Sequence, residues 1–82
     1  MESTDDLLMF RSTKVVRAAR IADPQESGCW VEGASGVHQW RAYDPGMTAR
    51  YLPEPGDWWV VYEDGYQSIS PKYAFEAGYA RA

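Results

Sequence analysis
The chain has 82 residues, a net charge of −4 and a hydrophobic fraction of 45%, which fits one small domain and leaves no room for a second. Eight basic residues are scattered among twelve acidic ones and lack the clustering that holds phosphates, so nucleic acid is excluded as a partner. A single cysteine, Cys29, and a single histidine, His38, exclude an intrachain disulfide and a cysteine-rich metal site, and leave too little for an acid–base pair or an activated nucleophile.

Residues 1–12 read as an arm, flexible or docked, ahead of a single β-rich domain over 13–82. Within the arm, Ser3 or Thr4 can cap a short helical turn, and Asp5 and Asp6 suit a helix N-terminus. These acids also stand where a signal peptide carries basic residues. No apolar run approaches a membrane span. The expectation is a soluble cytoplasmic protein that does not engage a membrane.

Lys14 to Ala22 alternates as a first strand, with Val15, Arg17, Ala19 and Ile21 on the face assigned to the core. Asp23-Pro24 opens a polar loop that Gly28 closes. In the next short strand Trp30 and Glu32 face away from Cys29 and Val31, and Cys29 reads as a small buried hydrophobe. Gly36 turns the chain by accepting positive φ. A third strand follows in which His38, Trp40 and Ala42 alternate with Gln39, Arg41 and Tyr43. The segment from Asp44 to Gly56, with Pro45, Pro53 and Pro55, cannot be a central strand.

The run DWWVVYEDGYQSISP, residues 57–71, predicts a hairpin. Asp64-Gly65 suits a two-residue type I′ turn. That turn would pair Glu63 with Tyr66, Val61 with Ser68 and Val60 with Ile69. Trp58, Val60, Tyr62, Gln67 and Ile69 then share one face, assigned to the core. Trp59, Val61, Glu63, Tyr66 and Ser68 share the other. Ser70-Pro71 predicts a helix N-cap and first turn, with Ile69 stapling against Ala74. The helix stops at Gly78, with Ala74, Phe75 and Ala77 as its packing contacts. The fold class is α+β, mainly β: a small antiparallel sheet or partly closed barrel of about five strands with one short C-terminal helix.

Two constellations stand out as binding residues, and no residue stands out as catalytic or metal-binding. Trp59, Val61, Glu63 and Tyr66 form either an aromatic–acidic contact surface for a partner or a face covered by another sheet layer. Arg17, Arg20, Arg41 and Arg50 can converge on an anion if the first and third strands are neighbours, with Trp30, His38 or Trp40 bracketing a ring. That set would suit a nucleotide. No cofactor is indicated.

The stretches RSTKVVRAARI (11–21) and PGDWWVVYEDGYQSISPKYAFEAGY (55–79) resemble a family of small phage- and prophage-encoded accessory proteins. Their chains carry a similar K-V-x-A-x-x-I strand and end in a pattern like P-x-x-G-x-W/Y-V-V-Y-E-D-G-Y-x-S-x-S-P-x-x-A-F-E-x-G-Y. The resemblance covers residues 11–21 and 53–79 and departs from the pattern between Gly28 and Leu52. It implies a factor working in the cytoplasm of a bacterial host by binding a host protein, such as a defence component, and inhibiting or redirecting it. The alternatives are a sponge for a nucleotide signal and a small virion structural protein. A homodimer or small oligomer fits a chain of this size with this many aromatics.

Overall fold
A computed structural model describes the backbone of residues 7–11, 15–49 and 51–81. The expected cap at Ser3 to Asp6 and the side chain of Arg50 lie outside the described residues. Among the described residues seven strands and one helix follow in order: β1 Leu8–Arg11, β2 Val15–Pro24, β3 Gly28–Glu32, β4 His38–Ala42, β5 Trp58–Val61, β6 Gln67–Ser70, α1 Lys72–Gly78 and β7 Ala80–Arg81. All pairings are antiparallel. The molecule is mainly β with one short C-terminal helix. Leu8–Arg11, inside the segment read as an arm, pairs with both β2 and β7.

Strand β2 organises the sheet. Its Val15–Ala18 half pairs with β1 and its Arg20–Pro24 half pairs with β3, while β5 runs along Arg17–Arg20. Because Arg17 and Ala18 pair with both β1 and β5, and Arg20 with both β3 and β5, β1 and β3 share one edge of β2 and β5 takes the other. The resulting sheet is open, running β4-β3-β2-β1-β7 with β5 and β6 branching from β2. The strand passes straight through Asp23-Pro24, with a bulge between Ile21 and Asp23. This corrects the expected turn there: the chain reverses over Gln25–Ser27, closed by the Gln25 N–H donating to the Gly28 carbonyl at 2.7 Å.

Strand β2 contributes buried residues to both faces, which corrects the one-sided core read from its alternation. Ala19 and Ile21 join Leu7, Cys29, Val31 and Trp59 in an inner cluster, with Tyr43, Met47, Val61 and Ile69 packed against it. Val16 and Ala18 join Trp58, Val60 and Phe75 in an outer cluster, flanked by Leu8, Tyr62 and Tyr79. Ala18 and Ala19 are both fully buried, and their small side chains leave room for the large residues of β5. Trp59 sits directly opposite Ala19.

The adjacent tryptophans therefore point to opposite faces, and both are core. Each buried indole N–H has an acceptor: Trp58 Nε1 donates to Glu76 Oε2 at 3.0 Å and Trp59 Nε1 to Gln67 Oε1 at 2.9 Å. Trp58 stacks on Phe75, and Phe75 on Tyr79, so α1 is held to the outer face by an aromatic column. The predicted contacts of Ala74 and Ala77 are not made, since both are exposed.

The hairpin register is one residue away from the predicted one. Trp58 pairs with Ser70, Trp59 with Ile69, Val60 with Ser68 and Val61 with Gln67. Tyr62 N–H donates to the Tyr66 carbonyl at 2.8 Å, and Gly65 N–H to the Tyr62 carbonyl at 2.9 Å. The loop thus holds three residues, Glu63, Asp64 and Gly65, of which only Gly65 takes positive φ, at 90°. A three-residue loop with glycine last lets Asp64 keep negative φ, and its Oδ1 accepts the Tyr66 N–H at 3.0 Å. The one-residue slip moves every β6 side chain to the other face. Ile69 therefore joins Trp59 in the inner cluster and cannot staple against Ala74.

The helix is also capped differently from the sequence prediction. Ser70 is the last residue of β6, and no side chain of the flanking sequence bonds the first turn. Asp57 does so from across the fold: its Oδ1 accepts the Lys72 N–H at 2.9 Å. Its Oδ2 accepts the Glu54 N–H at 2.8 Å and the Tyr51 hydroxyl at 2.7 Å. Gly78 belongs to the helix without positive φ, and the chain leaves extended at Tyr79.

Candidate functional site
Helix α1 covers the Trp58–Val60 end of the outer face and leaves the β3–β4 end open. There, antiparallel pairing sets Trp30 opposite Trp40 and Glu32 opposite His38, with Arg20 of β2 opposite Glu32 on its other side. The ladder phase follows from its ends. Tyr43 N–H donates to the Ser27 carbonyl and Gly33 N–H to the Val37 carbonyl. The hydrogen-bonded pairs of β3 and β4 are therefore the odd-numbered ones, and Trp30–Trp40 and Glu32–His38 are the close, non-hydrogen-bonded pairs.

The indoles of Trp30 and Trp40 meet edge to face, with centroids 5.4 Å apart at 65°, an arrangement favoured by the ring quadrupole. Gly28 sets where Trp40 lies. A Cβ on Gly28 would stand 2.6 Å from Trp40 Cζ2 and would also strike the Arg41 carbonyl. The missing side chain is the slot into which the Trp40 ring fits. Trp30 is 41% exposed, while Trp40 is half-buried between Gly28 and Trp30. His38 Nε2 lies 3.5 Å from Glu32 Oε2, and the Arg20 guanidinium lies 5.6 Å above the Trp58 ring. The patch thus has an aromatic centre bordered by one cation, one carboxylate and one imidazole.

Of the six residues read as a ligand set, Arg20, Trp30, His38 and Trp40 come together here. Arg17 and Arg41 do not. Both have the opposite parity and lie on the inner side, and β3 separates the strands that carry them. Arg41 is buried beside Cys29, with Nη2 donating to Gln39 Oε1 at 3.1 Å. The expected convergence of arginines is therefore corrected: of Arg17, Arg20 and Arg41, Arg20 alone lies on this face. Glu32 and Gly28 complete the patch. Alternation placed Glu32 beside Trp30, but nothing local marked Gly28 as the seat of an indole twelve residues away.

The hairpin set of Trp59, Val61, Glu63 and Tyr66 does not form one surface. Trp59 is 1% exposed and cannot touch a partner. Val61 packs half-buried on the inner cluster. Glu63 is exposed at the loop, and Tyr66, 65% exposed, leans on Tyr62 with centroids 5.8 Å apart. The register slip is the cause, because Tyr66 pairs with Tyr62 rather than Glu63. An open groove of about 410 Å³ beside this loop is lined by Val15, Arg17, Val61, Tyr62 and Glu63 and converges no set of donors on one point.

Cys29 and His38 lie on opposite faces of the sheet, so they cannot act as a pair. Burial pushes the Cys29 thiol up to about 12, against a smaller opposing pull from Arg41, which keeps it protonated and unreactive. Among the described residues no cluster of His, Cys, Asp and Glu could hold a metal ion. No helix there is long and apolar enough to cross a membrane. No family model, curated protein or solved structure matches the chain.

Proposed function
We propose that the chain is a non-enzymatic binding protein whose outer β3–β4 face docks on another protein. The observation that carries this reading is the edge-to-face Trp30–Trp40 pair, with Trp30 exposed and Trp40 half-buried, fixed in place by Gly28 and bordered by Arg20, Glu32 and His38. Rigid aromatics with an adjacent arginine are the residue types that dominate protein–protein binding energy, and a charged rim suits a partner surface of mixed polarity. The resemblance to phage accessory proteins favours a partner in a bacterial host, where the bound protein would be inhibited or redirected.

A nucleotide fits the same face less well. The two indoles close on each other edge to face and leave no parallel slot for a base. Arg20 faces Glu32 across the ladder, which opposes a phosphate. The test is capture from host lysate, followed by titration of the purified partner with variants. Trp30→Ala and Trp40→Ala weaken binding by about thirtyfold or more, the hot-spot range near 2 kcal/mol, with the circular dichroism spectrum retained. Tyr66→Ala, on the far hairpin, leaves affinity unchanged. Equal loss with Tyr66→Ala, or a thermal upshift with nucleotides that disappears in Arg20→Ala, would overturn the assignment.

A further inference from the structure
Strand β4 is a sheet edge. Among the described residues it pairs only with β3. Since its odd-numbered residues hydrogen-bond inward, the N–H and C=O groups of His38, Trp40 and Ala42 point outward, and none of them has a backbone partner among the described residues. Natural edges are usually blunted by proline, lysine, a bulge or extreme shortness. Here β7 has two residues and β6 runs into Pro71. By contrast, β4 is HQWRA, five residues paired without a break in register.

We infer that β4 pairs antiparallel with β4 of a second copy, about a twofold axis at Trp40, to form a continuous sheet across the dimer. The strand is complementary to itself in this register. The outward-facing residues meet as His38 with Ala42, Trp40 with Trp40, and Ala42 with His38. Gln39 falls opposite Arg41, and no like charges oppose. It is also the one antiparallel register that matches outward groups to outward groups along the whole strand. The twofold runs normal to the sheet, so both outer faces lie on the same side. Trp30 and Trp40 of the two copies then make one unbroken aromatic strip, closed as an isologous pair. This pairing is separate from the proposed partner, and its test needs no partner.

Light scattering of the purified chain across micromolar to submillimolar concentrations should show a dimer. Trp40→Lys sets two ammonium groups against each other at the axis. It should yield a monomer that keeps the wild-type circular dichroism spectrum. Register is read by cross-linking. In Trp40→Cys the paired Cα atoms lie about 5.5 Å apart, within disulfide reach, and mild oxidation should link the chains. In His38→Cys the like residues lie on the order of 13 Å apart and should stay unlinked, with the buried Cys29 silent in both. A wild-type monomer throughout, a dimer that survives Trp40→Lys, or cross-linking at His38→Cys in place of Trp40→Cys would overturn the inference. A monomer that instead takes an extended segment of another protein onto β4 would overturn it too.

Discussion

Asp57 and Gly28 show how much of this fold rests on single residues with no regular role in a strand or helix. Asp57 is 4% exposed and accepts from Lys72, Glu54 and the Tyr51 hydroxyl, joining the irregular segment, the start of β5 and the helix N-terminus. Asp57→Ala leaves three part-buried donors without their acceptor and should cost about 2 kcal/mol, the upper range for a lost cap. Urea denaturation measures that loss, and α1 amides should exchange faster. The same carboxylate holds the Tyr51 hydroxyl up to about 12, from its ordinary 10.0. A value raised in the folded state means stability present in full below pH 10 and lost as the pH climbs through 12. Cys29 adds a loss of the same sign above 9.0, so the comparison is between wild type and Tyr51→Phe. The variant should lose less stability over that alkaline interval, read as a flatter dependence of the urea midpoint on pH. Gly28→Ala would drive a methyl into the Trp40 ring and the Arg41 carbonyl and should destabilise by about 1–3 kcal/mol.

At the scale of elements, the β5–β6 hairpin decides which side chains see the core. Asp-Gly is read from sequence as the centre of a two-residue turn, but the same dipeptide serves as the second and third residues of a three-residue loop. Both solutions satisfy glycine's positive φ, and they differ in register by one. Packing chooses between them. The observed register puts Ile69 opposite Trp59 in the inner cluster and exchanges it for Ser68 on the outer face. Gly65→Ala should cost about 1–2 kcal/mol for forcing a side chain to positive φ. The loss should appear in urea denaturation, without a change in which tryptophans are protected from quenching by iodide. Helix α1 has seven residues and one buried side chain, Phe75, so it exists by docking rather than propensity. Its anchor, the Trp58–Phe75–Tyr79 column, joins elements that are distant in sequence.

For the whole molecule, four tryptophans divide between two tasks. Trp58 and Trp59 fill clusters on either side of β5, while Trp30 and Trp40 meet at an open face. Trp59→Ala should cost about 3–5 kcal/mol as a core truncation, enough to unfold much of the stability of so small a chain. Trp30→Ala should change the denaturation midpoint little and act on binding. A thermal melt of the two variants side by side tests that division directly. Two-sided burial is possible because β2 is long enough to serve three neighbours, with Ala18 and Ala19 at the crossing. The sheet is open, yet where β2 and β5 run side by side it carries a buried cluster on each face.

Local signals determined a good deal. The alternation of Cys29-Trp30-Val31-Glu32 placed Trp30 and Glu32 on one face, and the polar and glycine-rich breaks set most of the strands. Proline spacing kept Asp44 to Gly56 out of the sheet, and the mainly β class followed. These features depend on neighbours along the chain, where period and φ preference act. Tertiary structure decided the rest: that both tryptophans of β5 are core, that the hairpin takes the other register, that Asp57 caps a helix fifteen residues later, and that Trp30 meets Trp40 over Gly28. Each of these depends on what packs against a residue from a distant part of the chain. Periodicity assigns a side chain to a face, but only the other elements determine whether that face is covered.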